Sequence, residues 1–472
     1  MGHWNRSLYS LAVKLRGLAW SLILLPTLAS ASAFRLESRT EAQLYSWRSF
    51  RQGDPDTLTL LPRRRLVQYL GLEAYELITG EPLGFETSLR VFADWGLPHG
   101  EAARIDGARS EDADLLYANV SYRGEHLKVR VGRQTYIDFM DITSFDGGAV
   151  RYVTGLGIGA EVYAGLWVKG SSVLASSVYQ PDGVRESDLR RVGLMVARPY
   201  AALDDIEPLV GAKLLVEDIA GFSGSFGFRQ AWLAGKTDIQ RLAVEAKYGR
   251  ARGLNFFAGF EYDLVVPRVS NFRFQGKYDG DEIGLMLEVM RVSPVLSADS
   301  IFTYFATAPR DAARVRADYY PSGPFRFYAQ LGADLYNTAL NPDAPVSGEV
   351  KNAASPLTFG GSAGTAWRAG TVRGGADVTV KAGYGGRQVW VDVNLGWLPE
   401  NGLFSLDGRV SFANVEDSLN KRLKGNFFGV QLWGSYFFNR NTRVSLVLEE
   451  NLNSFSKSDT KVFFMLDWKV TL

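Results

Sequence analysis

The chain has 472 residues, 52 basic and 51 acidic, for a net charge of +1, with no cysteine and three histidines. No cysteine means no thiol nucleophile, thiolate metal site, disulfide framework or lipoprotein anchor, and the scarce histidines leave little for a histidine-built metal or catalytic centre. The near balance of charge carries no nucleic-acid signal.

Arg6, Lys14 and Arg16 precede the apolar run Leu18 to Leu25, then Pro26 and the small residues Ala29 to Ala33. This is the pattern of a secretory signal peptide, residues 1–33, with cleavage after Ala31 or, favoured, Ala33. Its loss takes three cations and leaves a net charge of −2. No later apolar run approaches the roughly 20 residues of a spanning helix. An exported chain can still cross a membrane as a barrel, whose strands need only about 9–11 residues.

Residues 34–472 read as one domain with a dominant period of two. A first strand is expected over 36–48. Long polar connections follow at 50–64 and 96–113, and a strand ends at 129–134. The stretch 134–157 reads as one loop, in which Gly155-Leu156-Gly157-Ile158-Gly159 lacks the βαβ context of a nucleotide loop. Clear alternation marks 242–248, 254–264, 315–319, 325–335, 389–397, 406–412 and 444–448. Weaker candidates lie near 268–276 and 297–306, and longer connections at 337–354 and 414–424. Gly360-Gly361-Ser362-Ala363-Gly364 matches the hydrolase G-x-S-x-G pattern, but it lies in a predicted strand, with His99 and His126 in connections. Asp279-Gly280-Asp281-Glu282 is far from a full calcium loop.

Short turns are expected at 80–82, 122–125, 235–238, 321–324, 369–370, 399–402 and 439–441. With both chain ends in the periplasm, short turns belong on that side and long loops outside. The last segment alternates Val462, Phe464, Leu466, Trp468, Val470 and Leu472 against Met465, Asp467, Lys469 and Thr471. It resembles the C-terminal signal read by the barrel assembly machinery, although Leu472 replaces the usual terminal aromatic. The expectation is an all-β, antiparallel transmembrane barrel of the bacterial outer membrane. Its strand number is even, about 18 within a range of 16–24, and the last strand pairs with the first.

Val129-Arg130-Val131-Gly132-Arg133-Gln134, a loop, and a turn at Phe145-Asp146-Gly147 resemble the alginate-export-type outer-membrane barrels. The resemblance covers residues 129–152. It implies a monomeric barrel passing an exopolysaccharide through an arginine-rich lumen, with periplasmic polysaccharide-export components as partners. It also gives Arg133 and Gln134 a part in the pore wall or in holding the loop.

Charges on the lipid face at mid-membrane cost about 2–4 kcal/mol, so charged positions are assigned to the lumen. Face parity puts Arg130, Arg229, Arg241, Lys247, Arg316, Arg326, Arg443 and Lys469 there. Glu245, Glu261, Asp263, Asp318, Asp334, Asp392, Glu449 and Asp467 join them. They select cargo, or merely pair and solvate the wall. The mixture of signs departs from a strongly basic conduit. The functional expectation is a channel with no chemistry of its own and no cofactor or metal. It exports polysaccharide or, alternatively, admits small hydrophilic solutes as a porin. A plugged structural barrel and an outer-membrane hydrolase are the remaining readings. Outer-membrane lipid is its environment, and nucleic acid is not a partner.

Overall fold

A computed structural model describes residues 33–471 except 52–53, 97–110, 141, 169–206, 234, 250–252, 294–308, 337–355, 385, 418–423 and 454–455. Residues 1–32 of the signal peptide expected over 1–33 and the candidate strand at 297–306 therefore lie outside the described residues, while Ala33 opens the first strand.

The described chain forms 22 strands. The first eleven are β1 (Ala33–Arg51), β2 (Asp54–Tyr75), β3 (Leu83–Asp94), β4 (Glu111–Arg123), β5 (Leu127–Ile137), β6 (Ile142–Val153), β7 (Ile158–Trp167), β8 (Pro208–Ile219), β9 (Phe222–Leu233), β10 (Lys236–Tyr248) and β11 (Gly253–Asp263). The rest are β12 (Arg268–Asp279), β13 (Ile283–Val292), β14 (Arg310–Tyr319), β15 (Phe325–Tyr336), β16 (Leu357–Ala369), β17 (Val372–Gly383), β18 (Gly386–Trp397), β19 (Phe404–Asp417), β20 (Lys424–Asn439), β21 (Thr442–Asn453) and β22 (Ser456–Thr471). Each pairs antiparallel with its neighbours in sequence. β22 pairs with β1 from Arg35↔Thr471 to Leu44↔Val462, which closes the sheet.

Closure leaves the sheet without a terminal edge strand, and alternation then sorts the side chains. The outer face is apolar and uncovered: Leu331 is 72% exposed, Leu214 62% and Val131 59%. In a soluble protein this continuous band would be an aggregation surface; here it is the surface that meets lipid. Aromatic contacts near strand ends, such as Trp397 with Phe404 at 4.9 Å and Tyr436 with Phe438 at 4.8 Å, fit an interfacial girdle. The protein is an integral β-barrel of the outer membrane.

The strand number is even, but it is 22 rather than about 18. The stretch 134–157 is not one loop; it contains all of β6, and 268–276 is the body of β12. The connection expected at 50–64 is mostly strand, since β1 and β2 pair out to Arg51↔Asp54. Even-to-odd turns lie at the rim that carries both chain ends. The short connection at 235 joins β9 to β10 and so lies at the opposite rim, against expectation.

Candidate functional site

A hairpin folded into the lumen is the feature that sets one wall apart. β4 pairs with β5 only from Ala118↔Arg133 to Arg123↔Lys128, whereas β5 and β6 stay paired to Ile137↔Ile142. Beyond Arg133 the hairpin has therefore left β4. Two glycines opposite each other, Gly132 and Gly147, make the bend. Gly132 has φ 124°, and a Cβ there would lie 2.3 Å from the Ala118 carbonyl oxygen; one at Gly147 would lie 2.1 Å from that of Ala164. Only a residue without a side chain lets the backbones approach so closely.

The tip is seated against the inner wall of β8 to β11. The Asp138 carboxylate accepts from Arg229 Nη2 at 2.8 Å and pairs with Lys213 Nζ at 2.7 Å. Arg229 also donates to Thr143 Oγ1 at 2.7 Å and to the Tyr163 hydroxyl at 2.9 Å. Arg241 donates to the Met140 carbonyl at 2.9 Å and lies 3.5 Å from Glu261 and 3.6 Å from Asp263. Phe139 packs where a side chain at Gly259 would clash, with its ring 6.0 Å from that of Phe257, and Met140 lies over Gly227. Behind the tip, Phe145 is fully buried with Ala149, Tyr163, Leu209, Ala231 and Ile239, flanked by Tyr136 and Trp167. The Tyr136 and Tyr163 rings are 4.7 Å apart. Charge-assisted bonds in a shielded setting and a local apolar core fix this hairpin as part of the wall.

The sixteen pore-lining candidates fall into distinct settings. Arg229, Arg241 and Glu261 are on the inner face but buried, and they serve the seat of the hairpin. Gln134 is also fully buried, donating to the Gly147 carbonyl at 3.2 Å. Arg133 falls by strand register on the face of Val129 and Val131, paired with Asp146 at 2.7 Å. The parity that places Arg130 inward therefore places Arg133 on the other face. Arg130 stands on the inner face below the hairpin.

Away from the hairpin, inner-face charges are joined in pairs: Lys247 with Glu245 at 2.6 Å, Arg316 with Asp318 at 2.7 Å, and Asp334 with Arg314 at 3.8 Å. Asp392 pairs with Arg409 at 2.7 Å, Glu449 with Lys461 at 2.7 Å, Arg443 with Asp467 at 2.6 Å, and Lys469 with Glu37 at 2.8 Å. Arg326 lies over the Tyr320 ring at 5.8 Å. Sequence reasoning missed Asp138, Lys213 and the tip. The signal available was glycine recurring on the inner faces of β8, β9 and β11, at Gly211, Gly227 and Gly259, where polar residues are expected.

Ser362 is an interior residue of β16, paired with Gln330 and Thr379, so no strand–turn–helix elbow surrounds it. Among the described residues no three His, Cys, Asp or Glu side chains are grouped to hold a metal.

No family model matches the chain, and no curated protein matches it. Solved structures do. OccAB4 of Acinetobacter baumannii matches with a TM-score of 0.42 at 9% identity, over 94% of this chain and 99% of that one. OpdO of Pseudomonas aeruginosa gives 0.42 at 11%, over 93% and 97%. The outer membrane protein OpdK of Pseudomonas aeruginosa gives 0.39 at 10%, over 93% and 99%. Similarity this distant assigns no function. The resemblance to alginate-export-type barrels is not upheld: the matching structures named here are Occ and Opd proteins, and the barrel has 22 strands. The motif itself dissolves, because Phe145-Asp146-Gly147 is no turn but the middle of β6, paired on both sides.

Proposed function

We propose that this barrel is a porin that admits small hydrophilic solutes across the outer membrane, the alternative anticipated above, and not a polysaccharide exporter. A 22-stranded barrel is too wide for its own side chains to fill, so its lumen holds water or folded chain. The observation that carries the reading is the seated β5–β6 hairpin, which places Asp138, Phe139 and Met140 inside the lumen and narrows it from one wall. Exclusion by size and by the polar wall is then the whole mechanism, and the barrel performs no chemistry. Ion pairs along much of the wall away from the hairpin favour small solutes over a long polyanion. The final strand, alternating to Thr471, supports insertion by the barrel assembly machinery. Periplasmic polysaccharide-export components have no part in this reading.

Single-channel recording of the refolded barrel in a planar bilayer tests it. Discrete ohmic steps are expected. Replacing Asp138, Phe139 and Met140 together by glycine should enlarge or destabilise those steps by unseating the hairpin. A barrel shown to be folded that never conducts would sink the porin reading, and steps unchanged by the triple replacement would remove the hairpin from it.

A further inference from the structure

Between the hairpin and the rim of the chain ends, β4 to β7 line an open pocket of about 350 Å³, with Tyr136 and Ile137 in its lining. Its wall is basic. Arg123 and Lys128 are opposite each other across β4 and β5, Lys128 and Arg151 across β5 and β6, and Arg130 lies opposite Ser121. Two of these cations are compensated: Arg123 lies 3.3 Å from Glu86, and Arg151 bonds Glu217 and lies 3.9 Å from Glu161. Glu161 is shared, being 3.7 Å from Lys213. Arg130 and Lys128 form no ion pair or side-chain hydrogen bond among the described residues. They differ in this from the joined pairs elsewhere on the wall.

We propose that this pocket is a binding site for a small phosphate-type dianion, inorganic phosphate or a phosphate monoester, held by Arg130 and Lys128. Two uncompensated positive charges on alternate residues of one strand match two negative charges. The Arg130 guanidinium presents a planar fork to two oxygens, while Lys128 supplies a mobile point charge. The Ser121 hydroxyl, also on the pocket wall, completes the donor set. Residues of a strand two apart are about 6.5–7 Å from each other, within reach of one tetrahedral oxyanion for side chains this long. A monocarboxylate would leave one cation unmatched. The site names a solute class for the porin reading and rests on that reading only for its use in transport.

Titration calorimetry of inorganic phosphate into the folded barrel in detergent tests the assignment without requiring conduction. Saturable binding to the wild type is expected. Arg130→Gln should weaken it by about tenfold or more. Lys128→Gln, a change at an exposed side chain that spares the fold, should weaken it as well, and Arg291→Gln on the outer face should not. No binding to the wild type, binding equal in Arg130→Gln and Lys128→Gln, or tighter binding of acetate than of phosphate would overturn the proposal. A barrel that binds phosphate but does not conduct would sink the porin reading and leave this site standing.

Discussion

Asp138 is the residue on which the hairpin turns, because one carboxylate answers both Lys213 and Arg229. All three side chains are largely shielded from water, at 13%, 12% and 3% exposure, so the pairing is not discounted as a surface ion pair would be. Asp138→Asn keeps an acceptor but removes the charge. It should cost roughly 1.5–3 kcal/mol, the range for hydrogen bonds to charged groups. The guanidinium unfolding midpoint of the barrel reads that cost, and an unchanged midpoint would show that the hairpin is held by packing alone. A double-mutant cycle with Lys213→Met should return a coupling of at least about 0.5 kcal/mol. The face of Arg130 was legible from alternation because it belongs to a regular strand. The burial of Arg229 and Arg241 was not, since it depends on chain arriving from β5 and β6 about a hundred residues earlier.

The β5–β6 hairpin as an element needs an empty seat, and Gly259 provides it: a Cβ there would lie 2.2 Å from the Phe139 ring. Gly259→Leu should fill the seat, release the tip and leave the closed sheet intact. The chain contains no cysteine, so Met140→Cys gives a clean reporter. Its thiol, buried in the seated hairpin, should react with a membrane-impermeant reagent about tenfold or more faster when Gly259→Leu is added. Equal rates would mean that the tip is not seated there. The same hairpin explains what the sequence concealed. Segments 242–248, 315–319, 325–335, 389–397, 406–412 and 444–448 all lie within strands, because their inner faces are polar and the period of two is visible. β6 and its neighbours lose that contrast. Their inner face carries Phe145, Ala149, Tyr163, Leu209 and Ala231, which pack under the hairpin instead of meeting water. Apolar residues on both faces, broken by Gly147, Gly148, Gly155 and Gly157, read as loop. One wall of the barrel has a small core of its own, and β6, which helps to build it, reads in the sequence as part of a loop.

At the scale of the whole molecule, closure is the step that leaves no first or last strand unpartnered, and its register is written on both faces of the seam. Outside, Leu36 meets Val470 and Ala42 meets Phe464; inside, Glu37 meets Lys469 at 2.8 Å and Arg39 meets Asp467 at 3.6 Å, with Arg443 continuing onto β21. A slip of one residue would turn every charge on β22 toward lipid, at about 2–4 kcal/mol for each Lys or Arg at mid-membrane. The apolar alternation therefore forbids odd slips. A slip of two residues keeps the faces, and only the order of charges opposes it. In register, Glu37 and Arg39 on β1 meet Lys469 and Asp467 on β22. Shifted by two one way, Glu37 meets Asp467; shifted the other way, Arg39 meets Lys469. Like charges directly opposite each other on a strand pair are destabilising, so the sign alternation selects one even register. Lys469 and Glu37 are 40% and 46% exposed, so each pair is worth less than about 1 kcal/mol to the folded barrel. The expected effect is accordingly on closure fidelity more than on stability. Lys469→Glu should lower the yield of the compact, heat-modifiable form on refolding into detergent, and adding Glu37→Lys should restore it. Recovery in the charge-swapped double variant is the decisive result. If the yield stays low, the loss belongs to Lys469 itself, and register at the seam is set by the apolar face and the turns.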